Sequence, residues 1–169
     1  MTLAEKILAA HAGRDKVIPG EIINVKLDLI MAHDNTAPIA IKGFGNLGID
    51  RVFDPHKIVM LLEHRVPANN IASAENSKLT RKFAREQGVI FFEVGRAGIC
   101  HALLPDQGLV MPGDLIIGAD SHTCTYGALG AFSTGMGSTD ITSAFALGET
   151  WMKVPPTIKF VYQGKAREW

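Results

Sequence analysis

The chain has 169 residues, 47% of them apolar and 20% charged, and its 17 basic side chains balance 17 acidic ones. That is enough apolar material for one domain with a real core, and the chain need not be disordered. The charge balance gives no sign of a nucleic-acid partner, no apolar run is long enough to cross a membrane, and two cysteines are too few for a disulfide scaffold, so a reduced, cytoplasmic protein is expected.

The opening MTLAEKILAAHAGRDK mixes charged and apolar residues and does not read as a signal peptide. Thr2 stands three residues before Glu5, a capping-box spacing. It predicts a helix with a stripe of Leu3, Ile7 and Leu8 that stops near Gly13. IINVKLDLIMA alternates strictly and predicts one strand over 22–32. After it, Thr36 is placed to cap a short helix that ends in the glycines near Gly43. Asp54-Pro55 marks a turn into a buried strand from Ile58 to Leu62, which runs out in Glu63-His64.

ASAENSKLTRKFAREQG predicts an amphipathic helix with Leu79 and Phe83 inward and Gly88 as its stop. VIFFEV reads as another buried strand, and GICHALLPDQG as a short turn or helix carrying His101. GDLIIGA is a fourth strand, ending in Asp120-Ser121-His122. GSTDITSAFALGETW predicts a helix capped by Ser138 or Thr139, and TIKFVYQG a fifth strand over 157–164. Glycines cluster at 43–48 and 127–137, interleaved in the second case with aromatic and aliphatic residues, and there is no internal repeat. Strands alternating with helices predict an α/β domain, layered around a largely parallel sheet.

Three strands end in polar groups: His33-Asp34, Glu63-His64 and Asp120-Ser121-His122. Ligands of open α/β sheets bind at the carboxyl ends of the strands, so parallel strands would bring all three groups to one edge. Several chemistries compete for them. Cys100-His101 with His122-Thr123-Cys124 offers zinc ligands, but neighbours on an extended chain point apart and there is no Cys-x-x-Cys. Asp120, Ser121 and His122 are consecutive, and real hydrolytic triads come from separate segments. The glycines before the helix at 138 do not follow a dinucleotide-loop order. They are read instead as small residues that allow close packing. What remains is a histidine-rich polar pocket with carboxylates beside His64 and His122, suited to moving protons or holding a small anionic substrate.

GADSHTCTYGALGAFSTGMGSTD, together with MAHDNTAP, EHRVPA, AENSKLTRKFAREQG, GICHALLPDQGLVMPGDLIIGADSHT and KVPPTIKF, resembles the aconitase superfamily over nearly the whole chain. The nearer likeness is to its 3-isopropylmalate dehydratase and homoaconitase large-subunit branch. The resemblance implies a [4Fe-4S] hydro-lyase that isomerises a hydroxy acid by dehydration and rehydration, in leucine biosynthesis if the substrate is 2-isopropylmalate. It implies that His64 protonates the departing hydroxyl with Glu63 as its carboxylate partner, where the family usually has Asp. It places His101, Asp120 and His122 around the reacting oxygen and Ser121 on a substrate carboxylate, and it puts His33 where aconitases carry a substrate-binding Gln.

The family holds its cluster with three cysteines, one in Ser-Cys-Thr-Asn and two in a later Cys-x-x-Cys, and neither Cys100 nor Cys124 corresponds to them. No metal ligand is therefore expected here. Residues 1–169 are expected to be a single domain, the first of a longer large subunit that works with a small, swivelling-domain subunit. Alone, the chain is expected to be inactive, to hold no cluster, and to self-associate through surfaces its partners would cover. The competing readings are a non-catalytic binding or assembly module and a zinc-dependent hydrolase.

Overall fold

The structure is a computed structural model that describes residues 1–165. Along them run α1 (Leu3–His11), β1 (Ile22–Lys26), β2 (Leu29–His33), α2 (Ala37–Gly45), β3 (Ile58–Leu61), α3 (Ile71–Gln87) and β4 (Ile90–Phe92). Then follow α4 (Cys100–Asp106), β5 (Leu115–Gly118), β6 (Phe132–Gly135), α5 (Ser138–Leu147) and β7 (Glu149–Lys153). Five strands form one sheet in the order β4-β3-β2-β5-β6, and every neighbouring pair is parallel. β1 and β7 pair antiparallel as a separate two-stranded ribbon.

The period of two along each inner strand sorts the core onto the two sheet faces. Ile30, Ala32, Ile58, Met60, Leu115 and Ile117 face Leu8 of α1, Ile41 and Phe44 of α2, Phe83 of α3 and Phe145 of α5. Leu29, Met31, Val59, Leu61 and Ile116 face Leu104 of α4 and Tyr126, which lies on a 3-10 turn between β5 and β6. Ile30, Met31, Ile58 and Met60 are wholly inaccessible, and each such side chain contributes about 1.5–3 kcal/mol through burial. The result is an α/β/α layering with four helices on one face and a thinner layer on the other. No helix among the described residues is long and apolar enough to cross a membrane.

Local signals explain most boundaries. The capping box of α1 forms: the Glu5 amide donates to Thr2 Oγ1 at 3.3 Å and the Thr2 amide donates to Glu5 Oε2 at 3.0 Å. Leu3 nevertheless stays exposed while Ile7 and Leu8 are buried. Gly88 and Gly148 close α3 and α5 in the left-handed conformation.

Other expectations are corrected. The single strand over 22–32 is two strands, because the chain turns at Leu27-Asp28 and β1 departs to pair with β7. The Asp28 carboxylate accepts the Leu115 amide at 2.9 Å and holds that turn against β5. β6 lies inside the glycine-rich stretch over 127–137, where the sequence pattern predicts no strand. Its pairing with β5 makes it a strand. β4 is an edge strand and only half-buried. Thr36 starts α2 without a side-chain cap, its hydroxyl donating instead to the His33 carbonyl at 3.4 Å. The cap position of α5 is Gly137, not Ser138 or Thr139, and residues 149–151 leave the helix for β7. The segment over 157–164 is not a strand, and Ile158, Phe160, Val161 and Tyr162 lie exposed on it.

Candidate functional site

β2, β3 and β5 are adjacent and parallel, so the polar groups after them meet at one edge of the sheet. His33 ends β2 and is 2% exposed. Its Nδ1 accepts the Asn35 amide at 3.3 Å, so its proton belongs on Nε2, which points at Asp120 Oδ2 at 3.4 Å. Burial, and then the charge of neighbouring His64, hold His33 below the ordinary histidine value, against the pull of Asp120. A neutral ring with a single defined tautomer fits both contacts.

His64 stacks on His33, with ring centroids 3.9 Å apart and planes 22° from parallel. Its Nδ1 lies 2.9 Å from Glu63 Oε1. That is ion-pair contact without hydrogen-bond alignment, and Oε1 has no hydrogen-bond partner although it is buried. The other Glu63 oxygen accepts the Cys100 amide at 3.2 Å and so ties the loop after β3 to the start of α4. His101 is the next residue on that helix. The short turn or helix expected over GICHALLPDQG is α4, and Cys100 and His101 stand in its first turn rather than on the extended chain invoked against a shared zinc, with Cys100 buried in the apolar cluster.

Asp120 follows β5 and collects three donors. His101 Nε2 donates to Oδ1 at 2.7 Å, the His122 amide donates to the same oxygen at 2.7 Å, and His33 Nε2 approaches Oδ2. Burial acts to raise Asp120, but these hydrogen bonds outweigh it and bring the carboxyl down to about 2. The chain is shaped to let Asp120 sit there. Thr123, wholly buried, donates its hydroxyl to the Asp120 carbonyl at 2.7 Å. It occupies the space of a Gly118 side chain, since a Cβ there would lie 2.2 Å from Thr123 Oγ1. A Cβ on Gly135 of β6 would lie 2.4 Å from the Asp120 carbonyl oxygen. Gly135 lies in the glycine-rich stretch over 127–137 that is expected to pack closely, whereas Gly118, at the end of β5, lies outside it.

Two clefts meet at Asp120. One, of about 290 Å³, is lined by Glu63, His64, Ile99, Cys100, His101, Asp120 and His122. The other, of about 580 Å³, is lined by Ala119, Asp120, Ser121, Cys124, Thr134, Gly135 and Met136. Ser121 and His122 are exposed, the His122 ring at 80%, so both face solvent at the rim. The buried His101 Nδ1 is without a partner. With Nε2 donating to Asp120, the neutral ring keeps a lone pair on Nδ1, free to accept a proton or a hydrogen bond.

The structure thus gathers His33, Glu63, His64, His101 and Asp120 into one network and sets Ser121 and His122 beside it. The carboxylate nearest to His122 serves chiefly His101 and His33. Asp34, wholly buried, was not singled out as a site residue. Its oxygens accept the amides of Glu63, His64 and Arg65. The only advance signal for it was its place directly after His33.

The ligand atoms of His33, Glu63 and His64 lie close enough to suggest a metal site. The two stacked rings run their in-plane lone pairs side by side, so they do not converge on one ion. A [4Fe-4S] cluster is held by cysteine thiolates. Burial pushes the Cys100 thiol up, with the Glu63 carboxylate adding to the effect, while Cys124 is exposed on the 3-10 turn. The cysteines of this chain do not fit as the holders of a cluster.

The family model described as "Aconitase family (aconitate hydratase)" matches residues 5–169. The chain is 59% identical to the 3-isopropylmalate dehydratase large subunit of Thermodesulfovibrio yellowstonii and 60% identical to that of Moorella thermoacetica. It is 58% identical to 3-isopropylmalate dehydratase large subunit 1 of Pyrococcus furiosus. In each case the match covers 100% of this chain and 40% of the relative, so the chain spans about two fifths of the length of the curated relatives it matches.

Proposed function

The chain belongs to the aconitase family, and from that premise we propose that residues 1–169 form the first domain of a hydro-lyase large subunit of the 3-isopropylmalate dehydratase type. The names borne by its relatives favour 2-isopropylmalate over a homoaconitate-type substrate. The observation that carries the reading is the convergence at one sheet edge of two carboxylate–histidine sets in which buried His101 Nδ1 has no partner and buried Glu63 Oε1 has only the unaligned ion-pair contact with His64. Buried polar atoms are normally satisfied, and unpaired ones in a cleft are suited to take up a polar ligand.

In this reading His64, half-exposed with Glu63 behind it, delivers a proton to the departing hydroxyl of the substrate. Asp120 fixes the tautomer of His101 by accepting its Nε2 proton, which leaves Nδ1 to receive or return a proton beside the same oxygen. His122, on the rim, completes this side of the cleft. His33 stays neutral and donates toward Asp120, giving the floor of the site a fixed polarity. Ser121 offers an exposed hydroxyl to a substrate carboxylate. The family's full-length enzymes carry a [4Fe-4S] cluster, and the reading assigns its cysteines and the small-subunit contacts to the rest of the longer protein. The 169 residues alone are then inactive, hold no cluster, and tend to self-associate through apolar surface such as Phe160 and Tyr162.

The test is isomerisation of 2-isopropylmalate by the complete large subunit containing this segment, assembled with its small subunit and cluster. His64→Ala is expected to lower kcat by about 10²–10⁴-fold. Undiminished turnover in that variant would remove the assignment.

A further inference from the structure

We propose that Asp34 is the positioning residue of the site: it sets where Glu63 and His64 stand and, through Glu63, where α4 presents His101. Asp34 is 1% exposed. Its Oδ1 accepts the Glu63 amide at 3.4 Å and the His64 amide at 3.0 Å, and its Oδ2 accepts the Arg65 amide at 2.7 Å. Its own amide donates to the Leu61 carbonyl at 3.1 Å, so the same residue grips the end of β3 with both backbone and side chain.

The charge balance sharpens this role. Among the described residues the one histidine, lysine or arginine side-chain nitrogen within 4.0 Å of the Asp34 carboxylate is His33 Nδ1, at 4.0 Å. That nitrogen is an acceptor for the Asn35 amide, so it does not neutralise the carboxylate. The three consecutive amides are what balance it, as backbone dipoles balance a bound anion. Three donors on two oxygens define the path of residues 63–65, a segment outside helix and strand. Neutral side chains of similar size lack that capacity.

From there the contacts run without a gap. The loop held by Asp34 carries Glu63, whose Oε2 accepts the first amide of α4, and the next residue on α4 is His101, bound to Asp120. Asp34 touches neither cleft. It acts through the residues that do. This inference rests on the hydro-lyase reading only for what the histidines do, not for where they are held.

The test uses the ¹⁵N-labelled 169-residue chain and its Asp34→Asn variant, which keeps the shape but has one acceptor oxygen in place of two. The ring signals of His64 and His101 are expected to move, while that of His11, which contacts Asp28 at the opposite end of β2, stays in place. Unmoved His64 and His101 signals overturn the proposal. So does an equal movement of all three rings, which marks general loosening. A second arm needs no variant: in the unaltered chain the amides of Glu63, His64 and Arg65 are expected to exchange at least about 100-fold more slowly than those of exposed Ala68 and Asn69. Equal exchange rates overturn the proposal even where Asp34→Asn fails to fold. Neither arm measures turnover, so failure here leaves the hydro-lyase reading to its own assay.

Discussion

Asp28 and Asp34 flank the same central strand, β2, and each carboxylate accepts backbone amides from a segment distant in sequence. At the amino end, Asp28 accepts the Leu115 amide at 2.9 Å and meets His11 Nε2 at 2.5 Å, with Lys57 Nζ at 3.9 Å. The other nitrogen of His11 reaches the Ile7 carbonyl at 2.8 Å, so that histidine is fully engaged. At the carboxyl end, Asp34 is sealed from water, and in the network beyond it Glu63 Oε1 and His101 Nδ1 lack hydrogen-bond partners. A histidine beside a carboxylate is therefore not in itself a functional sign. The amino edge spends its polar groups on tying α1, β3 and β5 together, while the carboxyl edge keeps some of them in reserve.

The contrast can be broken most directly by removing each aspartate. Asp34→Ala leaves three amides without an acceptor in a dry setting and is expected to cost about 3–5 kcal/mol, read from urea denaturation of the chain. Asp28→Ala opens a partly solvated site where water can replace the lost acceptor, and about 1–2 kcal/mol is expected. A larger loss at Asp28 would reverse the comparison. Between these two falls Gly135→Ala, whose methyl meets the Asp120 carbonyl. It is expected to cost about 1–3 kcal/mol and to shift the ring signals of His101 and His33 without touching that of His11.

Acid sharpens the same contrast. Buried His33 lies below its ordinary value of 6.5 in the fold, so as pH falls under 6.5 the unfolded chain binds a proton that the folded chain refuses, and stability declines. Asp120 is depressed to about 2 from 3.8, so its contribution is complete above about pH 4 and is lost as pH falls toward 2. Urea midpoints followed from pH 7.5 to 2.5 should decline in both windows. Asp120→Asn should abolish the Asp120 part of the lower one. An unchanged low-pH profile in that variant would detach Asp120 from the site's electrostatics.

Much of this was readable from the chain before any coordinates. The parallel α/β plan followed from apolar runs alternating with amphipathic ones, and the ligand edge followed from polar residues just past those runs. The capping box of α1 needed only Thr2 and Glu5. What escaped depended on partners. The alternation of 22–32 continues through Leu27-Asp28, and nothing local says that β1 will leave for β7. Phe132–Gly135, without apolar alternation, becomes β6 because β5 lies beside it, whereas 157–164 has Ile158, Phe160 and Tyr162 at alternate positions and forms no strand. Asp34 stayed hidden for a similar reason, since its function is to accept the amides of a segment some 30 residues away.

The order of strands in the sheet also bears on how the site comes into being. The Asp34–His64 contact closes a loop of 30 residues, and the His33–Asp120 contact one of 87. The longer closure costs about 1 kcal/mol more in chain entropy. During synthesis the His33, Asp34, Glu63 and His64 half can assemble around β2 and β3 while β5 is still unmade. Asp120 arrives later, with β5, to lock His101, and β6 follows it with Thr134 and Gly135 to complete the second cleft.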